Sequence, residues 1–414
     1  MRLDWETKPL ADLCEIKPAK GEVRRLLKNS DLVSFVPMED LGVDQKFLEP
    51  KAERKLGQVA GSYTYFADGD VLLAKITPCF ENGKLGIAKN LTNGTGFGSS
   101  EYIVFRPNGQ LSNEYLYYFL LQDRFRAEGI KTMSGAVGHK RISKDFIERC
   151  LIPLPSLSEQ QRIVAVLDEA FAGLATATAN AEKNLDNARE LFDSYLKSIF
   201  SQKGDGWVYK SLDEVAIEFG RGKSKHRPRN DPALYGGKYP FIQTGDIRNA
   251  HHVIIEYSQT YNEKGLAQSK LWPKGTICIT IAANIAETGI LGFDACFPDS
   301  VIGMVVDSSR TNNKFVEYLL RFFKGVLQAQ GKGSAQDNIN LATFENRKFP
   351  FPPIEIQNEL VDKLDAMAKH ASRLEAHYQA KLQFMAELKQ SILRKAFSGE
   401  LISPPSIALE EAAE

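Results

Sequence analysis

The sequence predicts an α+β protein built twice over. Two globular α/β-mixed domains are joined by two long helices that form an antiparallel coiled coil, related by a pseudo-two-fold internal repeat. Three observations carry this expectation. Residues 153–201 and 350–398 overlay without a gap at a shift of 197, and fourteen of the forty-nine positions are identical. Each stretch carries an apolar stripe at helical spacing far longer than the average helix of about 11–12 residues. The signals for strands, turns and a shorter helix ahead of each stretch also come in the same order. A repeat of this period marks a duplicated unit.

The first long helix is expected from Leu157 to Ser201. Its stripe runs through Val164, Leu167, Phe171, Leu174, Thr178, Ala181, Leu185, Ala188, Phe192, Tyr195 and Ile199. The second, from Ile354 to Ser398, offers Leu360, Leu364, Met367, Ala371, Leu374, Tyr378, Leu382, Met385, Leu388 and Ile392, with one extra step between Tyr378 and Leu382. Alternating steps of three and four keep a narrow seam on one side of a helix, and such a seam calls for a partner helix. At about 1.5 Å per residue, some forty residues make a rod of roughly 60 Å. The plainer alternative is that each stripe packs only on its own domain.

Ahead of the first helix, Asp68-Gly69-Asp70 is a turn and Val71-Leu72-Leu73-Ala74-Lys75-Ile76 a buried strand. A glycine-punctuated loop from Glu81 to Ile87 leads to a second strand at Glu101–Phe105. Asn113 caps a helix through about Glu128, with Leu116, Phe119, Leu120 and Phe125 on one side. A small-residue, basic loop comes next, Ser134-Gly135-Ala136-Val137-Gly138-His139-Lys140-Arg141. Leu151-Ile152-Pro153-Leu154-Pro155 then closes the domain, its prolines stopping one structure and stiffening the entry to the next. After the linker Gln202–Gly206 the same events recur. Trp207 and Leu212 echo Trp5 and Leu10, Lys274–Ile279 echoes the strand after Gly69, Asn313–Gln328 the helix, and Phe349-Pro350-Phe351-Pro352-Pro353 the proline gate. The expected boundaries are 1–153 for the first domain, 154–203 for the first connector, 204–350 for the second domain and 351–401 for the second connector. The acidic tail 402–414 is expected to be disordered.

Bulk composition bounds the rest. A chain of 414 residues, 43% apolar and 25% charged, fits two or three domains of ordinary globular character. Met1 opens into Arg2-Leu3-Asp4-Trp5 with no secretory signal, and no run approaches the 18 or so apolar residues of a membrane span. The five cysteines lack a C-x-x-C pair, against a disulfide framework or structural zinc. The expected setting is the cytoplasm. Net charge is zero, so any case for nucleic acid rests on local patches.

The gates carry the most specific signal: Ile152-Pro153-Leu154-Pro155-Ser156-Leu157-Ser158-Glu159-Gln160-Gln161 and Phe349-Pro350-Phe351-Pro352-Pro353-Ile354-Glu355-Ile356-Gln357. Pro-x-Pro followed by Glu-Gln at the mouth of a long helix, met twice about 200 residues apart, resembles the DNA specificity subunit of type I restriction–modification systems. The second copy departs from the pattern, with Ile356 in the place of Glu159. The resemblance covers essentially the whole chain. It implies that each domain is a target recognition domain reading one half of a split double-stranded DNA site. The helices would be a spacer whose outer surfaces dock two modification (methyltransferase) subunits. It implies no cofactor in this chain: S-adenosylmethionine would sit in the modification subunits, and ATP and Mg in the restriction/translocase subunits. The residues themselves offer no catalytic set, no metal site and no membrane span. A rod of fixed length suits half-sites about 34 Å apart on one face of B-DNA.

The candidate DNA contacts are basic and amide side chains in loops. In the first domain they are Lys75, Thr77, Lys84, His139, Lys140 and Arg141. In the second they are Arg221, Lys223, Lys225, Arg227 and Arg229, an acid-free basic run, with Thr280, Asn284, Gln336 and Asn338. Cations suit phosphates, and amides suit base edges. Gly220-Arg221-Gly222-Lys223-Ser224 ends like a phosphate-binding loop but has Ile217 where the first glycine belongs. His251 and His252 are expected to be a surface pair. No nucleophile–base constellation stands out, so the chain by itself is not expected to be an enzyme. The competing reading is a protein-interaction scaffold with a coiled-coil spacer between two binding domains.

Overall fold

The computed structural model describes residues 5–202, 204, 206–282, 285–332, 339–345 and 347–401. The tail 402–414 lies outside the described residues. The chain divides into two compact units, one of residues 1–181 with 380–414 and one of residues 182–379. The long helices run from Leu157 to Ser201 and from Ile354 to Ser398. Each therefore gives one part to either unit.

The first unit contains two four-stranded sheets. One has the order Cys14–Ile16, Tyr102–Pro107, Val71–Ala74, Leu85–Ile87, antiparallel throughout. The other has the order Ala52–Lys55, Leu32–Val36, Thr95–Gly98, Thr64–Ala67, with a parallel pair at its centre. Gly96 has to be glycine, because a Cβ there would lie 2.1 Å from the Phe66 ring. The second unit has a five-stranded sheet, ordered Ala216–Arg221, Val301–Val306, Ile277–Thr280, Thr288–Leu291, Val253–Ile254.

Both proline gates are strands. Leu151–Leu154 pairs antiparallel with Glu6–Pro9, and Phe349–Phe351 with Val208–Lys210. A two-stranded ribbon tolerates proline because alternate N–H groups point away from the partner. The helix mouth beyond each gate accounts for the repeated glutamine. Gln160 and Gln357 are 0% and 1% exposed. Gln160 Oε1 accepts from Ser112 N at 2.8 Å, while its Nε2 donates to the carbonyls of Pro155 at 2.9 Å and Gln110 at 3.0 Å. Gln357 accepts from Asn312 N at 3.0 Å and Thr311 Oγ1 at 2.8 Å, and donates to Pro352 O at 2.9 Å. Each glutamine staples its gate to the segment that starts the shorter helix. The preceding position differs between the copies, Glu159 against Ile356.

A second repeated clasp holds each long helix to its domain. Asp168 accepts from Lys46 Nζ at 2.6 and 2.8 Å and from the Tyr118 hydroxyl. Asp365 accepts from Tyr318 Oη at 2.6 Å and from Lys314. Burial, and then the carboxylate beside them, push both tyrosine hydroxyls well above their ordinary pKa.

Within the first unit the two long helices pair antiparallel. Val164 and Leu167 share a core with Leu393, Ala396 and Phe397. Lys389 Nζ lies 5.4 Å from the centre of the Phe171 ring, and Thr178 Oγ1 lies 3.4 Å from Met385 Sδ. Positions on one helix fall as those on the other rise. In the second unit Phe192, Leu196 and Phe200 share a core with Val361, Leu364 and Ala371. Leu185 is buried; Leu174, Leu374 and Leu382 are half-buried.

Leu388 departs from the expected seam, being 36% exposed. The seam steps by four from Met385 to Lys389, whose ammonium sits 5.4 Å from the centre of the Phe171 ring and reaches Asp44 at 2.5 Å. A lysine buries its methylenes there and keeps its charge paired, a role that apolar patterning passes over. The alternative of packing on the domains also holds at the helix ends. Phe171 meets Tyr118 at 5.4 Å between ring centroids, and Phe397 meets Tyr115 at 4.8 Å.

Two further expectations change. The helix begun at Asn113 ends at Leu120 and restarts at Asp123–Lys131, whereas its counterpart Asn313–Lys332 is continuous. Gln390 accepts from Asp123 N at 2.9 Å, taking up a donor that an unbroken helix would use itself. Contrary to the reading of composition, one described helix, Leu157–Ser201, contains an 18-residue window of mean hydropathy 1.2, long and apolar enough by length and composition to cross a membrane. Alanine supplies much of that value. Ile163, Val164 and Leu167 are buried, Phe171 and Leu174 half-buried and Val166 exposed. Asp168 on the helix is ion-paired to Lys46, so the helix is amphipathic rather than apolar all round.

All five cysteines are free. Burial pushes Cys14 and Cys150 up to about 12 and Cys296 up to about 11, and raises Cys278 further. Those four stay thiols at pH 8, and only thiolates attack alkylating reagents readily. Iodoacetamide at pH 8 is expected to label Cys79 first in the native protein and all five once it unfolds. Peptide mapping that finds Cys14 or Cys278 labelled as fast as Cys79 would contradict the packing.

Candidate nucleic-acid interface

In the first unit the chain running on from Val71–Ala74 is met by the basic loop 134–141. Thr77 N donates to Lys140 O at 2.9 Å, and Ile142 N to Lys75 O at 3.0 Å. Ser134 and Arg141 exchange backbone hydrogen bonds at 3.0 and 2.8 Å, which closes the loop. Lys75, Thr77, His139, Lys140 and Arg141 therefore come together although more than fifty positions part the two segments. Arg141 grips Glu101 with two bonds, at 2.8 and 2.9 Å, and holds that carboxyl below its usual pKa. Lys75 donates to Ser100 O at 2.9 Å and lies 3.8 Å from the same carboxylate. His139 and Lys140 are exposed. Lys84 is drawn off: its ammonium donates to Met38 O at 2.7 Å.

In the second unit the basic run begins as strand, not loop, because Ala216–Arg221 pairs with Val301–Val306. Gly222 then turns against the carbonyls of Phe297 and Pro298, where a Cβ would approach to 2.4 Å. The run has no acid of its own, yet Asp299 faces it. Arg229 donates to that carboxylate at 2.6 and 2.8 Å, and Arg221 donates to its backbone carbonyl at 2.8 Å. Arg227 is turned to the carbonyls of Ser224 and His226, at 2.7 and 2.8 Å. Among the described residues, Lys223 and Lys225 are exposed and have no carboxylate partner. Asp299 thus offsets one of the five positive charges, chiefly that of Arg229, while Lys223 and Lys225 are the cations free of side-chain or carbonyl partners among the described residues.

Thr280 does not reach the surface. It is 0% exposed, and its hydroxyl accepts from Glu287 N at 3.0 Å. Thr280 N donates to Glu287 O as Ala74 N donates to Lys84 O, so Thr280 is the counterpart of Ala74. Ile281, whose carbonyl accepts from Ile339 N at 3.3 Å, is the counterpart of Lys75. Moving the match by one position exchanges faces of a strand, which removes Thr280 as a direct contact. Asn284, Gln336 and Asn338 lie outside the described residues.

His252 is not one of a surface pair. Its Nδ1 lies 2.8 Å from the buried Glu317 carboxylate and its Nε2 2.9 Å from Arg321. Its φ of +69° turns it back from exposed His251. It pins the strand Val253–Ile254 to the helix Asn313–Lys332. Sequence reasoning missed this pin and both tyrosine–aspartate–lysine clasps. For the clasps a signal existed, since Asp168 and Asp365 are among the positions identical between the copies.

Fold and surface together define a class: a duplicated α+β domain on antiparallel connector helices, each copy presenting basic loops. The model of the family described as the type I restriction modification DNA specificity domain matches residues 2–185 and again 204–383, and the chain belongs to that family. The type I restriction enzyme EcoEI specificity subunit of Escherichia coli is 34% identical over 196 residues, which cover 47% of this chain and 32% of that protein. The chain thus spans about a third of that relative's length in the match. The MjaIX specificity subunit of Methanocaldococcus jannaschii is 24% identical over 425 residues, covering 96% of this chain and 94% of its own. The crystal structure of the HsdS subunit from Thermoanaerobacter tengcongensis shares the fold with a TM-score of 0.66 at 19% identity, covering 97% of this chain and 98% of that one.

Proposed function

We propose that this chain is the sequence-recognition subunit of a type I restriction–modification complex, non-catalytic itself and working in the cytoplasm. Residues 1–153 and 204–350 are its target recognition domains, each reading one half of a bipartite double-stranded DNA site. The connectors 154–203 and 351–401 serve as spacer and as docking surface for two modification subunits. Those subunits bring S-adenosylmethionine, and restriction subunits bring ATP and Mg. One observation supports this reading above the others. The same hydrogen bond, Ile142 to Lys75 in one copy and Ile339 to Ile281 in the other, ties matching positions to the residue after an interior strand of each sheet. The frame repeats while the side chains it presents differ, as suits two heads with different targets.

Duplex binding by the chain with its modification partner tests this. Affinity is expected to fall steeply with salt as counterions are released. Lys223→Ala with Lys225→Ala should lower the slope of log K against log salt by about 2. Arg229→Ala should lower it less, because that guanidinium is already paired with the Asp299 carboxylate at 2.6 Å. Binding that is absent, or indifferent to salt, would favour a protein-interaction scaffold instead.

A further inference from the structure

We propose that a cleft in the first unit, not singled out by the basic loops, holds the phosphodiester backbone of one DNA strand. The proposal rests on the reading of the chain as a DNA-recognition subunit and extends it to residues that have no part in the loops. The cleft has a volume of about 770 Å³ and opens between the two four-stranded sheets, walled by the segment after Cys14–Ile16, by Thr64–Ala67 and its approach, and by the helix Lys144–Arg149.

Four lysines line it: Lys17, Lys20, Lys75 and Lys144. Glu148 is the one acid in the lining, and it is already paired with Lys144 at 3.0 Å. Lys20 donates to the carbonyls of Ala60 and Gly61 at 3.2 and 3.0 Å and meets no carboxylate among the described residues. Its pKa lies below the ordinary value through burial first and then through the charges of Lys17 and Arg24. Lys17 has a φ of +63°, a left-handed conformation that a side chain enters only at some cost, and its N–H is tied to Val104 O at 2.8 Å. Lys75 also lies 3.8 Å from Glu101, so the excess charge of the cleft rests on Lys17 and Lys20, which meet no acid among the described residues. A concave site with such an excess suits an external anion. The anion is extended rather than compact, because Lys75 lies both in this cleft and beside the loop carrying Lys140 and Arg141. Cations thus continue from the cleft, where Lys20 reaches the carbonyls of Ala60 and Gly61, past Lys75 to the loop, as successive phosphates of a strand require. Such contacts place the domain on the duplex without reading bases.

The experiment uses the full chain with its modification partner and fluorescently labelled duplex, titrated at several salt concentrations. Lys17→Gln with Lys144→Gln is expected to lower the salt slope by about 1 to 2, the larger share from Lys17 because Lys144 is already paired with Glu148, with preference among duplex sequences unchanged and circular dichroism like that of the parent. Lys17→Glu, which tests the same site by charge reversal, should weaken binding at every sequence alike. Lys131→Gln, outside the cleft, should leave the slope as it is. A parental slope in both cleft variants, while Lys140→Gln lowers it, would overturn the cleft proposal and leave the DNA reading standing. A parent protein whose affinity does not depend on salt would overturn that reading itself.

Discussion

Gln160→Leu is expected to destabilise the first unit by about 3 kcal/mol, and Gln357→Leu the second by a similar amount. The side chains are close in size, so little cavity cost enters. What changes is hydrogen bonding around a buried side chain. Gln160→Leu strips partners from Ser112 N–H and the Pro155 carbonyl, and Gln357→Leu from Asn312 N–H, the Thr311 hydroxyl and the Pro352 carbonyl. A buried polar group left unpaired costs about 1–3 kcal/mol. Gln110, the third partner of Gln160, is exposed and turns to solvent instead. Against the 5–15 kcal/mol that typically holds a domain together, this is a large loss. Urea unfolding would measure it, and amide exchange at Ser112 and Asn312 would localise it. Parental protection of Ser112 in Gln160→Leu would show that the staple is not what secures the gate.

The staples also show where the sequence was legible. Pro-x-Pro with a glutamine beyond it, repeated at a constant shift, marked both gates. The long helices were legible too, because a period of three and four is a local property of the chain. Leu388 and Lys389 show the limit: a seam is chosen by the partner helix, and a lysine whose charge is paired by Asp44 can occupy it. The basic run Arg221–Arg229 was legible as composition, but the pairing of Arg229 with Asp299, seventy positions beyond it, was not. Thr280 was misplaced by one residue because a strand's register is fixed by its neighbours. Lys17, Lys20 and Lys144 carry no signal together, since only the packing of two sheets and a helix joins them.

That packing is held in part by Arg106, and Arg106→Leu is expected to cost the first unit about 3 kcal/mol. Arg106 donates to both oxygens of Asp70 at 2.8 Å, to Glu22 at 2.8 Å, and lies 5.6 Å from the centre of the Tyr65 ring. It stands on Tyr102–Pro107 of one sheet, while Tyr65 belongs to the other. Asp70 is 1% exposed, and its hydrogen bonds to Arg106, the largest effect, raise the guanidinium pKa further. Removing one member of a buried pair leaves an uncompensated charge, at about 3–5 kcal/mol. The arginine side chain keeps a quarter of its exposure, which argues for the lower end. Asp70→Asn in the Arg106→Leu background removes the stranded charge and leaves an amide oxygen to accept from Ala67 N, the bond Asp70 now makes at 2.7 Å. The double variant should therefore be more stable than Arg106→Leu alone. Urea unfolding of the three proteins decides it. A double variant no more stable than the single would mean that the loss comes from the contacts to Glu22 and Tyr65 rather than from the buried carboxylate.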